Sequence, residues 1–425
     1  MSNISLLTTL AAAAASGVEG WISVASNPYG NQDTAKGVAV DSSGNIIAVS
    51  TSVTPSGKIM TAKYNADGDI LWSRAIFPNN SESVAWDVAV DSSDNIIVVG
   101  QGRISTGDNI GFIAKYNSSG VFQWDKKFES DVSGNNCFIY GVTTDGSDNI
   151  YICGDGRNGL RGLLVKYNSS GTVQWKVATT SPTSLWYTAV AVNSSGEVFA
   201  CGITDNTRAV LSKYNSSGVH QWTVRQTKGT KNTDFFDIAL DSSGNIILAG
   251  SVDTAGSDPV VTKYNSSGVL QWSSYISDIA EASFFRSVAV NSDDEIFLCG
   301  QARQSSDNQF LAAKCSSAGS FEWTNTINDT TSVNAYGFGA AIHEDGSFIA
   351  CGGYSSLVAK LFADGSGAGT YGNIVYASES YTTGSTPDVA SASLSVSSSS
   401  FSGTSTDVTS GEAAITLTQT LAELS

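Results

Sequence analysis

Residues 88–100, VAVDSSDNIIVVG, and residues 112–124, FIAKYNSSGVFQW, carry the pattern that decides the fold. Each is a pair of β-branched or aromatic runs around a polar turn. DSSDN separates the first pair and YNSSG the second, and Asn and Gly accept the positive φ of a tight hairpin. The unit therefore reads as four short strands: VAVD, NIIVVG, GFIAKYN and VFQWDKK. The first alternates valine with alanine, at Val88-Ala89-Val90 and again at Val38-Ala39-Val40, Val190-Ala191-Val192 and Val288-Ala289-Val290. Small residues belong where strands crowd together, as at the axis of a radial array.

The unit recurs at about fifty residues along the 425-residue chain. The Asp of VAVD, or its equivalent, falls at Asp41, Asp91, Asp145, Asn193, Asp241, Asn291 and His343. The lysine of the third strand falls at Lys63, Lys115, Lys166, Lys213, Lys263, Lys314 and Lys360. The tryptophan of the fourth falls at Trp72, Trp124, Trp175, Trp222, Trp272 and Trp323, with Trp21 ahead of the first complete unit. Seven of the nine tryptophans hold this one place, so they read as structural packing residues.

Seven four-stranded units describe an all-β, seven-bladed β-propeller; solenoid units are usually shorter or helical. The ends support closure. The chain opens on a lone fourth strand, Gly17 to Val24, and its last unit, Gly339 to Leu361, lacks a tryptophan strand of its own. The N-terminal strand is expected to complete the seventh blade, which leaves no open stack. The units resemble the bacterial β-propeller repeat family, related in pattern to NHL-type propellers. That resemblance spans about residues 17–365 and implies a fold, not an activity. Lys314-Cys315 and Lys360-Leu361 depart from its Lys-Tyr pair.

Three segments follow: an N-terminal docking arm or short helix at 1–16, the propeller at 17–365, and a Ser/Thr-rich β-strand extension at 366–425. Ile4, Leu7 and Leu10 recur at helical spacing, and no Lys or Arg precedes Lys36, so the start lacks the positive region of a secretory signal. The extension follows the hinge ADGSGAGTYG and alternates in SLSVS and AITLTQTL. It has too little core to order alone, so it reads either as a flexible Ser/Thr linker or, the favoured reading, as strands that pack on the propeller or on neighbouring copies. TYGNIVYAS and the strand-like repeats after it resemble the tails of marine bacteriophage structural proteins, as does the uncharged N-terminus.

The net charge of −17 repels phosphate backbones and speaks against a nucleic-acid partner. With 41% hydrophobic and 14% charged residues the chain can bury a core. No run approaches the ~20 apolar residues of a membrane helix, so no membrane insertion is expected. Cys153, Cys201, Cys299 and Cys351 share one place with Val49, Val99 and Ala249, and read as buried free thiols. Cys137 and Cys315 have no partner by pattern, and reduced thiols fit folding in a cytoplasm better than secretion. The repeated lysines read as a ladder to acidic or carbonyl groups of the same or adjacent blade.

The NADGD stretch, Asn65 to Asp69, lacks the distal glutamate of a calcium loop, and the N-S-S sequons at Asn117, Asn168, Asn215 and Asn265 sit at hairpins. No nucleophile elbow, P-loop or HExxH is present, and the two histidines, His220 and His343, give little for a triad. The Gly-x-x-x-Trp rhythm resembles quinone-dependent dehydrogenase propellers, without their calcium carboxylates or quinone site. The expectation is a chain that is not an enzyme, with no cofactor and no metal.

The most varied segment precedes each inner strand. Register-matching aligns Lys36, Trp86, Tyr140, Thr188, Phe236, Arg286 and Phe338, with Trp186, Phe235 and Phe285 beside them. In a propeller these entries ring the channel mouth. The candidate binding rim is Lys36, Trp86, Tyr140, Trp186, Phe236, Arg286 and Phe338, a set suited to stacking on sugars or a protein, or to plugging gaps between blades. The functional expectation is a bacteriophage virion structural protein of the tail, fibre or capsid surface. It would be folded in the host cytoplasm, oligomeric in its assembly and bound to other virion proteins through both termini. Its propeller would serve attachment or recognition of a host-surface glycan or receptor. The alternative is a secreted or cell-surface bacterial binding propeller.

Overall fold

The computed structural model of the chain describes residues 6–10, 20–24 and 34–397, apart from 53–57, 77–82, 104–108, 129–135, 157–160, 181–183, 205–207, 228–231, 254–256, 278–281, 305–306, 330–334, 354–356, 367–368, 372–373, 380–381, 386–387 and 392–394. Seven four-stranded antiparallel sheets stand round one axis. Blade 1 is Thr34–Val40, Ile46–Ser52, Lys58–Tyr64 and Ile70–Ile76. Blade 2 is Ser83–Val90, Ile96–Arg103, Asn109–Tyr116 and Phe122–Phe128, and blades 3 to 6 repeat the meander up to Phe321–Asp329. Blade 7 takes Gly337–Ile342, Phe348–Gly352 and Leu357–Leu361 from the end of the repeats and Gly20–Val24 from the start.

Trp21 pairs with Lys360 in the register that joins Trp72 to Lys63 and Trp323 to Lys314. The N-terminal strand thus closes the ring. The core agrees: buried apolar residues form seven clusters, each shared by two neighbouring blades. The closing cluster joins Val38, Ile46 and Tyr64 of blade 1 to Ile349, Cys351 and Val358 of blade 7.

The turn chemistry also locks blade to blade. In blade 1, Asp41 Oδ1 accepts from the amides of Ser43 and Asn45, and Gly44 sits at φ 73°. Three copies carry aspartate at the glycine place, Asp94, Asp148 and Asp294, at φ 60–61°. A left-handed aspartate costs roughly 1–2 kcal/mol. The offset is a bond to the preceding blade: Asp94 accepts from the Ser42 amide and hydroxyl, Asp148 from the Ser92 amide, and Asp294 from the Ser242 amide and hydroxyl. The tryptophans do the same work further out. Trp72, Trp175 and Trp272 donate to Ser118, Ser216 and Ser317 carbonyls of the next blade, their rings lying on Gly120, Gly218 and Gly319.

The lysine ladder has the expected form. Lys63, Lys115, Lys263 and Lys360 pair with Asp41, Asp91, Asp241 and Asp345 at 2.6–2.8 Å, and each also donates to a carbonyl of the next blade. Lys213 and Lys314 use Glu197 and Glu295 instead, and Lys166 lies over the Tyr151 ring. All six cysteines are buried free thiols, and burial pushes Cys201 and Cys351 up to about 12.

The terminal segments add strands to blade edges. Leu6–Leu10 pairs antiparallel with Gly20–Val24, so of the expected docking arm or short helix the described part is a strand and not a helix. The outer edge of blade 7 offers unpaired backbone groups, and pairing with them overrides the helical spacing of three apolar residues. After Leu361 the chain turns back round the perimeter. Ile374–Glu379 pairs with the outer strand of blade 6, Thr382–Ser385 with blade 5, Asp388–Ser391 with blade 4 and Ser395–Ser397 with blade 3. Among the described residues, blades 1 and 2 keep four strands. AITLTQTL and the rest of 398–425 lie outside the described residues.

Deleting residues 367–425 bares four outer edges at once. The shortened chain is expected to self-associate where the full chain does not, read by light scattering after size-exclusion chromatography.

Candidate functional site: the channel mouth

Every innermost strand carries a β-bulge at the same place. The register slips between Ala35 and Gly37, Ala85 and Asp87, Ile139 and Gly141, Tyr187 and Ala189, Phe235 and Asp237, Phe285 and Ser287, and Gly337 and Gly339. The extra residues are Lys36, Trp86, Tyr140, Thr188, Phe236, Arg286 and Phe338. A bulge re-aims its side chain, and here all seven line one axial cavity of about 370 Å³. The bulge also explains a glycine in the second strand. A Cβ on Gly100, Gly154, Gly202, Gly250, Gly300 or Gly352 would stand 1.8–2.1 Å from the carbonyl oxygen two residues before the bulged one. Blade 1 has Ser50 there, for which the structure gives no reason.

Six of the seven rim candidates meet in this cavity; Trp186 does not line it. Trp186 pairs in regular register with Ile203, and the bulged residue of its blade is Thr188. Thr188 Oγ donates to the Phe235 carbonyl of blade 5. The aromatics form an arc of half-buried rings. Trp86 lies 5.6 Å from Tyr140, edge to face, and its indole N–H donates to Gln101. Phe138 stacks on Tyr140, Phe284 packs on Phe236, and Tyr336 on Phe338.

Two cations stand among them. Lys36 Nζ is 3.4 Å from the Phe338 ring centre and 5.3 Å from that of Trp86. Arg286 Cζ is 4.6 Å from Phe284, 4.9 Å from Phe338 and 5.6 Å from Phe236. Burial, then the charge of Arg286, lowers Lys36 to about 8, and burial lowers Arg286 to about 10.

One layer down the axis is crowded. A Cβ on Gly37 would meet Asp87 Cα at 3.0 Å, and one on Gly141 would meet Ala189 Cα at 3.0 Å. Asp87, Asp237 and Ser287 are the polar members of this layer, which the sequence reading missed. Their signal was an acid at a place held elsewhere by Gly37, Gly141, Ala189 and Gly339. Each latches two blades. Asp87 accepts from the amides of Val88 and Val142; Asp237 from Ile238, Val288 and the Ser287 hydroxyl; Ser287 Oγ in turn accepts from the Ala340 amide. Burial pushes Asp87 up to about 7 and Asp237 to about 6. Among the described residues no three His, Cys, Asp or Glu side chains gather as metal ligands would.

No described protein family and no curated protein matches the chain. Solved structures do. Virginiamycin B lyase from Staphylococcus aureus is 13% identical, with a TM-score of 0.53 over 78% of this chain and 98% of its own. A streptogramin B lyase is 13% identical, with 0.56 over 80% and 97%. The WD40 β-propeller domain of Doa1 is 13% identical, with 0.52 over 84% and 97%. At such identity the likeness shows the propeller fold alone, and it carries the resemblance to propeller repeats no further than that fold. It also corrects one expectation. The expectation that the chain is not an enzyme rests on the want of a familiar motif on a propeller; two of these similar propellers are lyases, so that ground fails.

The buried aspartates set a pH dependence. Their folded pKa values lie above the unfolded one, so the folded state binds more protons and stability falls as pH rises through 6 and 7. Asp87 alone accounts for about 2 kcal/mol of fall between pH 5 and 7.5. His220, lowered by burial, acts with opposite sign, so the comparison is between parent and variant. Asp87→Asn is expected to flatten the urea-denaturation profile over this range, and a profile as steep as the parent's would refute the assignment.

Proposed function

We propose that the chain is a recognition propeller that holds a saccharide at its channel mouth, on the surface of a bacteriophage particle. The observation that carries the recognition half is the set of seven bulges, which turn Trp86, Tyr140, Phe236 and Phe338 into one open cavity. Half-buried rings, fixed by their neighbours, offer flat apolar faces to the C–H face of a sugar ring at little entropic cost. Thr188 and the Trp86–Gln101 pair supply hydroxyl and amide groups beside them.

The particle setting is supported by the resemblance of the terminal segments to phage structural proteins. Strand addition is also how those segments bind in this fold. The outer strands Ile70–Ile76 and Phe122–Phe128, free of a fifth strand among the described residues, suit a strand from a neighbouring virion protein. A secreted or cell-surface setting in a bacterium is the alternative.

Two experiments test these halves. Calorimetric titration with oligosaccharides cut from bacterial surface polysaccharide is expected to show binding that Trp86→Ala and Phe236→Ala each weaken at least tenfold. Unchanged affinity in both variants overturns the site. Peptide mass spectrometry of purified particles is expected to find the chain at stoichiometric level; finding it only in the host envelope or medium selects the alternative.

A further inference from the structure

We infer that the channel mouth seats an acidic group of its ligand, a carboxylate or sulfate ester on the saccharide, between Lys36 and Arg286. This rests on the reading of the mouth as a saccharide site and names the class of sugar.

The contrast is internal to the molecule. Elsewhere six of the seven ladder lysines pair with carboxylates at 2.6–2.8 Å, at Lys63, Lys115, Lys213, Lys263, Lys314 and Lys360, and the seventh, Lys166, lies over the Tyr151 ring. Lys36 and Arg286 break that habit. Among the described residues no carboxylate lies within ion-pair distance of either. Arg286 Nε is buried with no hydrogen-bond partner. Both cations press on the same ring, Phe338, so two like charges converge on one spot. The acids one layer below, Asp87 and Asp237, are already held by backbone amides and Ser287.

Both side chains are half-buried, and a charge drawn partly out of water without an acidic partner is costly. An anion entering from the open end supplies one. A guanidinium offers a planar fork that fits carboxylate or sulfate oxygens, and an ammonium beside it adds a second charge-assisted donor. The aromatic arc then holds the sugar that carries the acid. Burial and the charge of Arg286 weaken the charge on Lys36, and an anion beside it relieves that. The net charge of −17 opposes the approach of any anion, but beyond about 8 Å salt screens it, and the contact is local.

The test titrates the full chain with tri-galacturonate, neutral tri-galactose and inorganic sulfate, in parent, Lys36→Met and Arg286→Gln. The parent is expected to bind tri-galacturonate at least tenfold tighter than tri-galactose. Each variant is expected to lose most of that preference, tri-galacturonate affinity falling at least fivefold further than tri-galactose affinity. Equal binding of acid and neutral sugar by the parent, or a preference that survives in both variants, overturns the anion seat and leaves the saccharide reading standing. Sulfate binding lost in both variants, without binding of either sugar, supports the seat and overturns the saccharide reading. No binding of any probe overturns both. Thermal melting guards against misfolding: with a repelling charge removed, each empty variant is expected to melt no lower than the parent. A lower melting temperature in both marks the cations as structural and counts against the seat.

Discussion

Seven inner strands converging on one axis leave almost no room between their backbones, and the rest of the structure answers to that constraint. Alanine or glycine holds four of the seven places in the narrow layer, where a Cβ on Gly339 would come within 3.1 Å of the Val38 amide nitrogen and 2.9 Å of Cys351 Sγ. Just above it each strand takes one extra residue, which bends the strand away and points its side chain at the axis. The glycine of the second strand exists because the bulge drives a carbonyl oxygen into the space of its Cβ. Packing at the axis and presentation of side chains at the mouth are thus one arrangement. The residues free to vary are the seven that the bulge ejects from the sheet.

Most of the fold could be read from the repeat because each repeated residue has one job in every blade. Trp72 and its counterparts cap the next blade's turn, and Lys63 and five of its counterparts pair with a carboxylate of their own blade's inner turn, Lys166 lying over the Tyr151 ring instead. A periodic sequence exposes such roles. The closing strand was legible for the same reason, since Trp21 keeps its place with its three partners at the other end of the chain. The strand Leu6–Leu10 was not. Its pairing depends on a free sheet edge that no local pattern announces.

The mouth was legible only by alignment of what varies. That placed Lys36, Trp86, Tyr140, Thr188, Phe236, Arg286 and Phe338 together, and the candidate rim then took Trp186 in place of Thr188. A large aromatic two residues away is the more conspicuous candidate for stacking, but it keeps regular register with Ile203. Asp87 and Asp237 went unremarked although the register that aligns Trp86 with Phe236 puts both at the place of Gly37; what the pattern does not announce is that their carboxyls are held by the amides of the next blade. Nor does charge composition show that an acidic protein gathers two cations at one spot. The expectation about catalysis failed for another reason: it took the lack of a known motif as information, and propellers hold too many kinds of site for that.

The chain circles the axis once to build its blades and then travels back round the outside, touching blades 6, 5, 4 and 3 in turn. Those four attachments hold by six, four, four and three residue pairs. The result is a hoop over the staves of a barrel. A pull on its far end meets each attachment in sequence, weakest first, and comes away in small separate steps. The staves feel no load until the last has gone, because the latch at Gly20–Val24 belongs to the other end of the chain. A particle or filament tethered through this hoop would absorb tension by unpeeling while the axial cavity kept its shape.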